Sequence, residues 1–197
     1  MKALPKQQRA LAKREALITA AESCFSELGY EGCTAKLIAE RAAVATGTFY
    51  QYFANKDDML HTLALRRLEV LTASLDKASP ATTALSIEAR LARSLDFIYD
   101  FHARQPALHQ ILEHRRHRDP RLAETLDRGE QQLQQHVTRF VRSLNLNQAE
   151  VVAFNLFAMA EGVVHRHVFG SPPRPDKNAV IQQAAAMLAS YLNSASR

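Results

Sequence analysis

Apolar residues recur along this chain at three- and four-residue intervals, and no stretch alternates in the manner of a half-buried strand. From about Arg9 to Leu28, the residues Ile18, Ala21, Phe25 and Leu28 fall on one helical face. Gly29 follows, where a helix end favours a left-handed residue. Thr34 is a good N-cap for a short helix over 35–42 whose apolar positions include Leu37, Ile38 and Ala42. Ala43-Val44-Ala45 breaks the pattern before a second short helix, Thr46–Tyr52. Asn55, followed by Asp57 and Asp58, has the form of a cap with acids in the first turn, opening a helix from Lys56 to about Lys77.

The stretch ASPATT, 78–83, reads as a connector in which Pro80 suits a first helical position. A long helix over about 83–104 carries Leu91, Leu95, Ile98 and Phe101 or His102 on one side, and Gln105-Pro106 ends it. Pro106–Arg116 forms a short helix, and Asp119-Pro120 opens another to about Leu144 with the stripe Leu122, Leu126, Leu133, Val137, Phe140 and Leu144. Asn147 and Glu150 have capping-box spacing for a helix over about 148–169, and Asp176 caps a last helix over about 177–193. The expected fold is all-α, with about nine helices.

Two late helices stand apart. Residues 151–160, VVAFNLFAMA, are apolar almost all round, so they need cover on more than one side. The last helix presents Ile181, Ala184, Ala185, Leu188 and Leu192, with alanines small enough for another helix to approach. A partner subunit completing a four-helix bundle explains both, and simple burial within one domain is the alternative.

Composition narrows the classes. The 197 residues, 47% of them hydrophobic and 23% charged, are those of a globular chain. The six glycines form neither G-x-G-x-x-G nor G-x-x-x-x-G-K, which counts against nucleotide-cradling enzymes. Neither G-x-S-x-G nor H-E-x-x-H occurs, no Cys–His pairing is recognisable, and an enzyme is not expected. Two cysteines, Cys24 and Cys33, give no disulfide framework, and Cys24 on an apolar stripe reads as a reduced core thiol. The opening MKALPKQQRA lacks a signal-peptide core and no run approaches a membrane span, so a cytoplasmic location with no membrane role is expected.

The net charge of +5 is unevenly placed. Lys2, Lys6, Arg9, Lys13 and Arg14 all precede the first acid, Glu15. Such a segment suits nucleic acid or an anionic surface, and a solvated tail equally well. In His114-Arg115-Arg116-His117-Arg118 and His165-Arg166-His167 the arginines repel a cation and no Cys or carboxylate cluster accompanies them, so no metal is expected. The first run reads as a solvated basic face or a second anion patch. No cofactor is expected.

The most specific segment is 34–60, TAKLIAERAAVATGTFYQYFANKDDML. Two short helices joined by a three-residue turn form a helix-turn-helix, whose second helix can enter a major groove. Thr46, Thr48, Tyr50, Gln51 and Tyr52 give that helix more hydrogen-bonding capacity than core packing requires. Its N-terminus, with free N–H groups, favours phosphate, and Lys56 can clamp the backbone.

This segment resembles the DNA-binding signature of the TetR family of transcriptional regulators. Thr34, Ile38-Ala39, Gly47-Thr48-Phe49-Tyr50, Tyr52-Phe53 and Lys56-Asp57 stand where the family pattern has its Thr, Ile-Ala, Gly-Thr-Phe-Tyr, Tyr-Phe and Lys-acid positions. The resemblance covers roughly 50 N-terminal residues. It implies a three-helix head, residues 1–54, and a larger helical effector-binding and dimerisation domain, 55–197. By position, Thr34, Lys36, Thr46, Thr48, Tyr50, Tyr52 and Lys56 are expected to face DNA, while Phe49 and Phe53 pack the head. Ala43 and Ala45 depart from the family, which commonly has Gly and Ser there. The implied partners are double-stranded DNA with a near-palindromic operator, a small-molecule effector, and a second copy met through the last two long helices, about 148–169 and 177–193. The implied activity is repression released by the effector. Activation, or a helical interaction module without specific DNA binding, are the alternatives. Family geometry places an effector pocket among the middle helices, where Phe97, Phe101, Ile111, Phe140, Phe157, Glu161 and His165 are the candidates.

Overall fold

Each helix boundary in this chain has a local chemical cause. The computed structural model describes residues 8–77 and 85–195, which form nine helices and no strand. They are α1 (Gln8–Gly32), α2 (Ala35–Arg41), α3 (Thr46–Tyr52), α4 (Lys56–Lys77), α5 (Ile87–Ala103), α6 (Pro106–Arg116), α7 (Pro120–Arg142), α8 (Ala149–Phe169) and α9 (Lys177–Ser194). Within α1 the helical dihedrals are interrupted at Gly29, which has φ 69°, a value that glycine alone adopts without strain. Thr34 and Asp176 cap as expected: Thr34 Oγ1 accepts from the Leu37 N–H at 3.2 Å, and Asp176 Oδ1 from the Ala179 N–H at 2.9 Å.

Three expectations need correction. The fifth helix opens at Ile87 rather than near 83, because Ser86 Oγ accepts from the Ala89 N–H at 3.2 Å and so caps it there. The connector 78–83, Pro80 included, lies outside the described residues. No capping box opens α8: its N-cap is Gln148, at φ 52° and without a side-chain cap bond. Glu150 is drawn instead to Arg142, whose Nε donates to it at 3.1 Å. Finally, Cys24 and Cys33 are joined in a disulfide, both fully buried, with Cα atoms 5.7 Å apart. Sequence spacing does not reveal this pair, since it is the break at Gly29 and the turn into α2 that bring the two together.

Packing divides the chain into two compact units. The first comprises residues up to Val70 together with Gln105–Asp127, and the second Leu71–Arg104 together with Arg128 onward. The first is built on Leu17, Ile18, Phe25, Ile38, Phe49, Phe53, Met59, Leu60 and Leu63, to which α6 and α7 add Leu108, Leu112 and Leu122. These packing units do not follow the expected division into 1–54 and 55–197.

The second unit packs α5 against α8 and α9. Its core contains Leu91, Leu95, Val141, Leu156, Val164, Ile181 and Leu188. The small residues of α9 are spent inside this unit: Ala184 and Ala185 are 6% and 0% exposed. The stripe read as an approach surface for a partner is therefore covered by the chain's own helices. Lys177 reinforces the α5–α9 contact from Asp96 and Asp100, at 2.7 and 2.8 Å. These are exposed pairs, each worth at most about 1 kcal/mol.

One buried polar contact in the first unit couples α4 to α7. The Thr125 hydroxyl donates to the Arg121 carbonyl at 3.0 Å, so it accepts from His61 Nε2–H, also at 3.0 Å. That bond fixes the neutral tautomer and leaves Nδ1 buried without a hydrogen-bond partner among the described residues. Burial first, then Arg121, holds the His61 imidazole below its ordinary 6.5, against the opposing pull of Asp119 and Asp58. The unfolded chain therefore takes up this proton at higher pH than the native one does. Stability contributed by neutral His61 is complete above pH 6.5 and declines as pH falls through the lowered native value. In urea titrations between pH 8 and about 5, the His61→Gln protein should show a shallower acid loss of stability than wild type. Parallel profiles would mean that His61 titrates alike in both states.

Candidate nucleic-acid interface

The turn between α2 and α3 is set by backbone hydrogen bonds. The Val44 N–H donates to the Ala39 carbonyl and the Ala43 N–H to the Glu40 carbonyl, both at 3.0 Å. This is the Schellman pattern, and it requires a left-handed residue just past the helix end. Ala43 fills that position at φ 53°. Val44 then packs against the core of the first unit. The departure from Gly noted in the sequence is thus a departure in side chain only, for the backbone still turns left-handed.

Beyond the turn, α3 divides cleanly. Phe49 and Phe53 are 0% and 1% exposed, and Phe49 stacks edge-on to Tyr50 with centroids 5.3 Å apart. Thr46, Gly47, Tyr50 and Gln51 are exposed, with Tyr50 at 50%. Thr48 and Tyr52 are half-buried, and Tyr52 packs against the core. Ala45 offers the first turn no side-chain bond, so the N-terminal N–H groups of α3 have no cap from that residue. Thr34 and Lys36 are exposed on the α2 side, with the Thr34 hydroxyl oxygen already accepting the cap bond.

Lys56 has a more constrained place. Its Nζ donates to the Tyr30 carbonyl at 2.6 Å and stands 3.9 Å from the centroid of the Tyr30 ring. The same ring carries the Arg115 guanidinium at 4.0 Å. Arg115 donates to Asp57 at 2.7 Å and to the Tyr30 oxygen at 3.2 Å, while the Tyr30 hydroxyl donates to Asp57. Burial, then the Asp57 carboxylate, holds the Tyr30 phenol well above its usual range, so it stays a neutral donor. A second surface network joins α1 to α2: Arg41 donates to Ser23 at 3.1 Å and to Glu27 at 2.8 Å. Sequence reasoning missed Tyr30, Asp57, Arg115 and Arg41 as a set. Ser23 and Glu27 share a face at i,i+4, but nothing in the spacing ties them to Arg41.

Of the effector-pocket candidates, Phe97, Phe101, Phe140, Phe157, Glu161 and His165 all lie half-buried in the second unit. Phe97 and Phe101 stack with centroids 6.4 Å apart, and the Arg90 guanidinium stands 4.6 Å over the Phe140 ring. Ile111 is the remaining candidate. It belongs to the first unit, where it lines a groove of about 460 Å³ with Phe25, Tyr30, Gln110, His114 and Arg115. In the basic run 114–118, Arg116 is tied to Glu113 at 2.9 Å and to Asp127, leaving only part of the run as solvated charge.

The fold and the turn define a helix-turn-helix protein with a helical body. Residues 17–63 match the family described as bacterial regulatory proteins, tetR family, and residues 86–192 match the tetracyclin repressor-like C-terminal domain. The second match alone spans more than half of the chain, and the chain belongs to the TetR family of bacterial regulatory proteins. Among curated relatives, the HTH-type transcriptional regulator HbdR of Aromatoleum sp. (strain CIB) is 50% identical over 48 residues, which are 24% of this chain and 21% of that protein. The HTH-type transcriptional repressor KstR of Mycolicibacterium smegmatis is 36% identical over 69 residues, 35% of this chain and 34% of that one. The matched stretches thus cover about a fifth to a third of these relatives' lengths. A TetR-family transcriptional regulator of Mesorhizobium loti shares the fold, with a TM-score of 0.76 at 18% identity over 95% of this chain and 98% of its own.

The left-handed alanine gives a direct prediction. An L-residue in this region costs roughly 1–2 kcal/mol, part of which glycine returns through its freer unfolded chain. Because Ala43 is exposed, Ala43→Gly should stabilise the protein by about 0.5–1 kcal/mol in urea denaturation at unchanged slope. A neutral or destabilising result would show that the turn carries no such strain.

Proposed function

We propose that this protein is a sequence-specific DNA-binding transcriptional repressor, homodimeric and released from its operator by a small-molecule effector. Residues 1–54 would supply the DNA-binding portion and 55–197 the effector-binding and dimerisation portion. The observation that carries the reading is the two-sided α3: Phe49 and Phe53 anchor it while Thr46, Tyr50 and Gln51 stand outward. Its exposed face supplies hydroxyl and amide groups for base edges, and its uncapped N-terminus suits phosphate. Lys36 extends this face. Thr34, Thr48, Tyr52 and Lys56 adjoin it, with Lys56 reaching phosphate only by sharing or leaving the Tyr30 carbonyl.

Dimerisation is supported by apolar side chains left outward on the last two helices. Val151 and Phe154 on α8 are 54% and 65% exposed, and Met187 on α9 is 47% exposed. A second copy covering these side chains would place two recognition helices on successive major grooves, about 34 Å apart, of a near-palindromic site. The effector would be taken among Phe97, Phe101, Phe140, Phe157, Glu161 and His165 of the second unit. Binding there lowers DNA affinity insofar as it favours a conformer with the heads mis-spaced. Among the described residues no helix is long and apolar enough to cross a membrane, and a cytoplasmic site of action accompanies the reading.

The test is selection of bound duplexes from a random pool by the purified protein, followed by salt titration of the winner. Wild type should recover a palindromic site whose affinity falls steeply with salt. Tyr50→Ala should bind it at least about tenfold more weakly, the loss of one good contact, while the loss of its edge contact with Phe49 lowers the melting temperature by only a few degrees. Absence of any enriched sequence, or equal binding by the Tyr50 variant, would remove α3 from the role of reader.

A further inference from the structure

The sequence places Arg115 in a basic run that reads as solvated, but the fold turns it inward. Its side chain is 16% exposed, in the last turn of α6. It stands outside the helix-turn-helix, yet in the same packing unit as α1, α3 and the start of α4. Its partner is Asp57, the residue after Lys56. The Asp57 carboxylate accepts from the Arg115 guanidinium at 2.7 Å and from the Tyr30 hydroxyl. Lys56 is left with the Tyr30 carbonyl at 2.6 Å and the Tyr30 ring at 3.9 Å, and it has no acid partner among the described residues.

We propose that Arg115 and Tyr30 are positioning residues for DNA binding: by holding the Asp57 carboxylate they keep the Lys56 ammonium uncompensated, to be matched by a phosphate. This inference rests on the reading of the protein as a DNA-binding regulator with Lys56 beside the reader helix. Asp57 is the acid closest to Lys56 along the chain, and its side chain is 44% exposed. A free carboxylate there works against phosphate in two ways. It draws off the ammonium, which moves on a flexible four-carbon stem, and it repels an approaching anion. Arg115 removes both effects, because a guanidinium hydrogen-bonded to a carboxylate offsets its charge.

Tyr30 is the platform for this arrangement. Its ring stacks on the fully buried Phe25, with centroids 5.9 Å apart and planes 3° apart. It carries the Arg115 guanidinium 4.0 Å from its centroid, so ring and acid together fix that cation. The Tyr30 carbonyl is a neutral acceptor, and it orients the Lys56 ammonium without cancelling its charge. An ammonium has three donors, so this bond leaves two for a phosphate. A mere staple between α1, α4 and α6 behaves differently. Its loss acts through stability, and weakens DNA binding equally whether or not Lys56 is present.

The test measures affinity and its salt dependence on the duplex selected by the full-length wild type. Lys56→Gln and Arg115→Gln should each weaken binding at least about fivefold, and each should make the slope of log affinity on log salt shallower by about one. Adding Arg115→Gln to Lys56→Gln should cost less than about twofold more, because both act through one phosphate contact. Arg115→Gln/Asp57→Asn should recover most of the loss. Arg118→Gln, which removes a charge from the exposed end of the same run, should bind within about twofold of wild type. Tyr30→Phe keeps the ring and loses the donor to Asp57. Should the melting curve show that Arg115→Gln does not fold, Tyr30→Phe decides, weakening binding in wild type but not in Lys56→Gln. Unchanged binding by Arg115→Gln, additive losses with Lys56→Gln, no recovery with Asp57→Asn, or an equal loss in Arg118→Gln overturns this inference and leaves DNA binding in place. A wild type that binds no duplex removes the DNA-binding reading, and this inference falls with it.

Discussion

A helix of seven residues does not hold itself together in water, because nucleation costs more than two turns of hydrogen bonds return. α3 exists because Phe49 and Phe53 leave water on one of its faces, each side chain contributing about 1.5–3 kcal/mol of burial. That requirement dictates everything else about the head. The two phenylalanines point into a core made by Phe25, Ile38, Met59 and Leu63, so the opposite face has nowhere to go but outward. The residues on that face are then free to be chosen for what they contact, and they are hydroxyls, an amide and an aromatic ring.

The angle at which α3 leaves α2 rests on the same economy of local bonds. Three residues suffice for the turn because the backbone closes on itself through the Ala39 and Glu40 carbonyls. Val44 seals the turn from below. An alanine in the left-handed position is tolerated there because the surrounding bonds and core over-determine the backbone. At the other end of the head, Tyr30 gathers Lys56, Asp57 and Arg115 around one ring. The first turn of α4 is thus tied to the end of α1 and the end of α6 by charged groups that satisfy one another. Cations that look free in a sequence are occupied in the fold.

What was legible in the sequence follows from range. Helices, caps at Thr34 and Asp176, and the break at Gly29 depend on residues within four positions of one another, and periodicity and cap chemistry find them. The burial of Phe49 and Phe53 was legible for the same reason. The Cys24–Cys33 bond, the Arg41 network and the Tyr30 cluster join residues nine to eighty-five positions apart, and spacing carries no signal for them. Glu150 shows local and non-local demands in competition. Its capping-box spacing was real, but a bidentate-capable arginine eight residues away took the carboxylate, and Gln148 became the cap.

The second unit shows why a small-residue stripe is ambiguous. Alanines at 184, 185 and 189 permit close helix approach, but permission does not name the helix that approaches. Here the chain's own α5 and α8 pack against α9, and Lys177 with Asp96 and Asp100 ties α9 to α5 at the rim. Once α9 has spent its smooth face internally, its outward residues face solvent, and these include Met187; Val151 and Phe154 of α8 are likewise exposed. An all-round apolar α8 has the same logic: one half meets α5 and α9, and the other half keeps large side chains in water at a cost. A chain that retains Phe154 at 65% exposure has a physical reason to find cover for it, and in the proposed dimer a second copy of the same two helices would supply it.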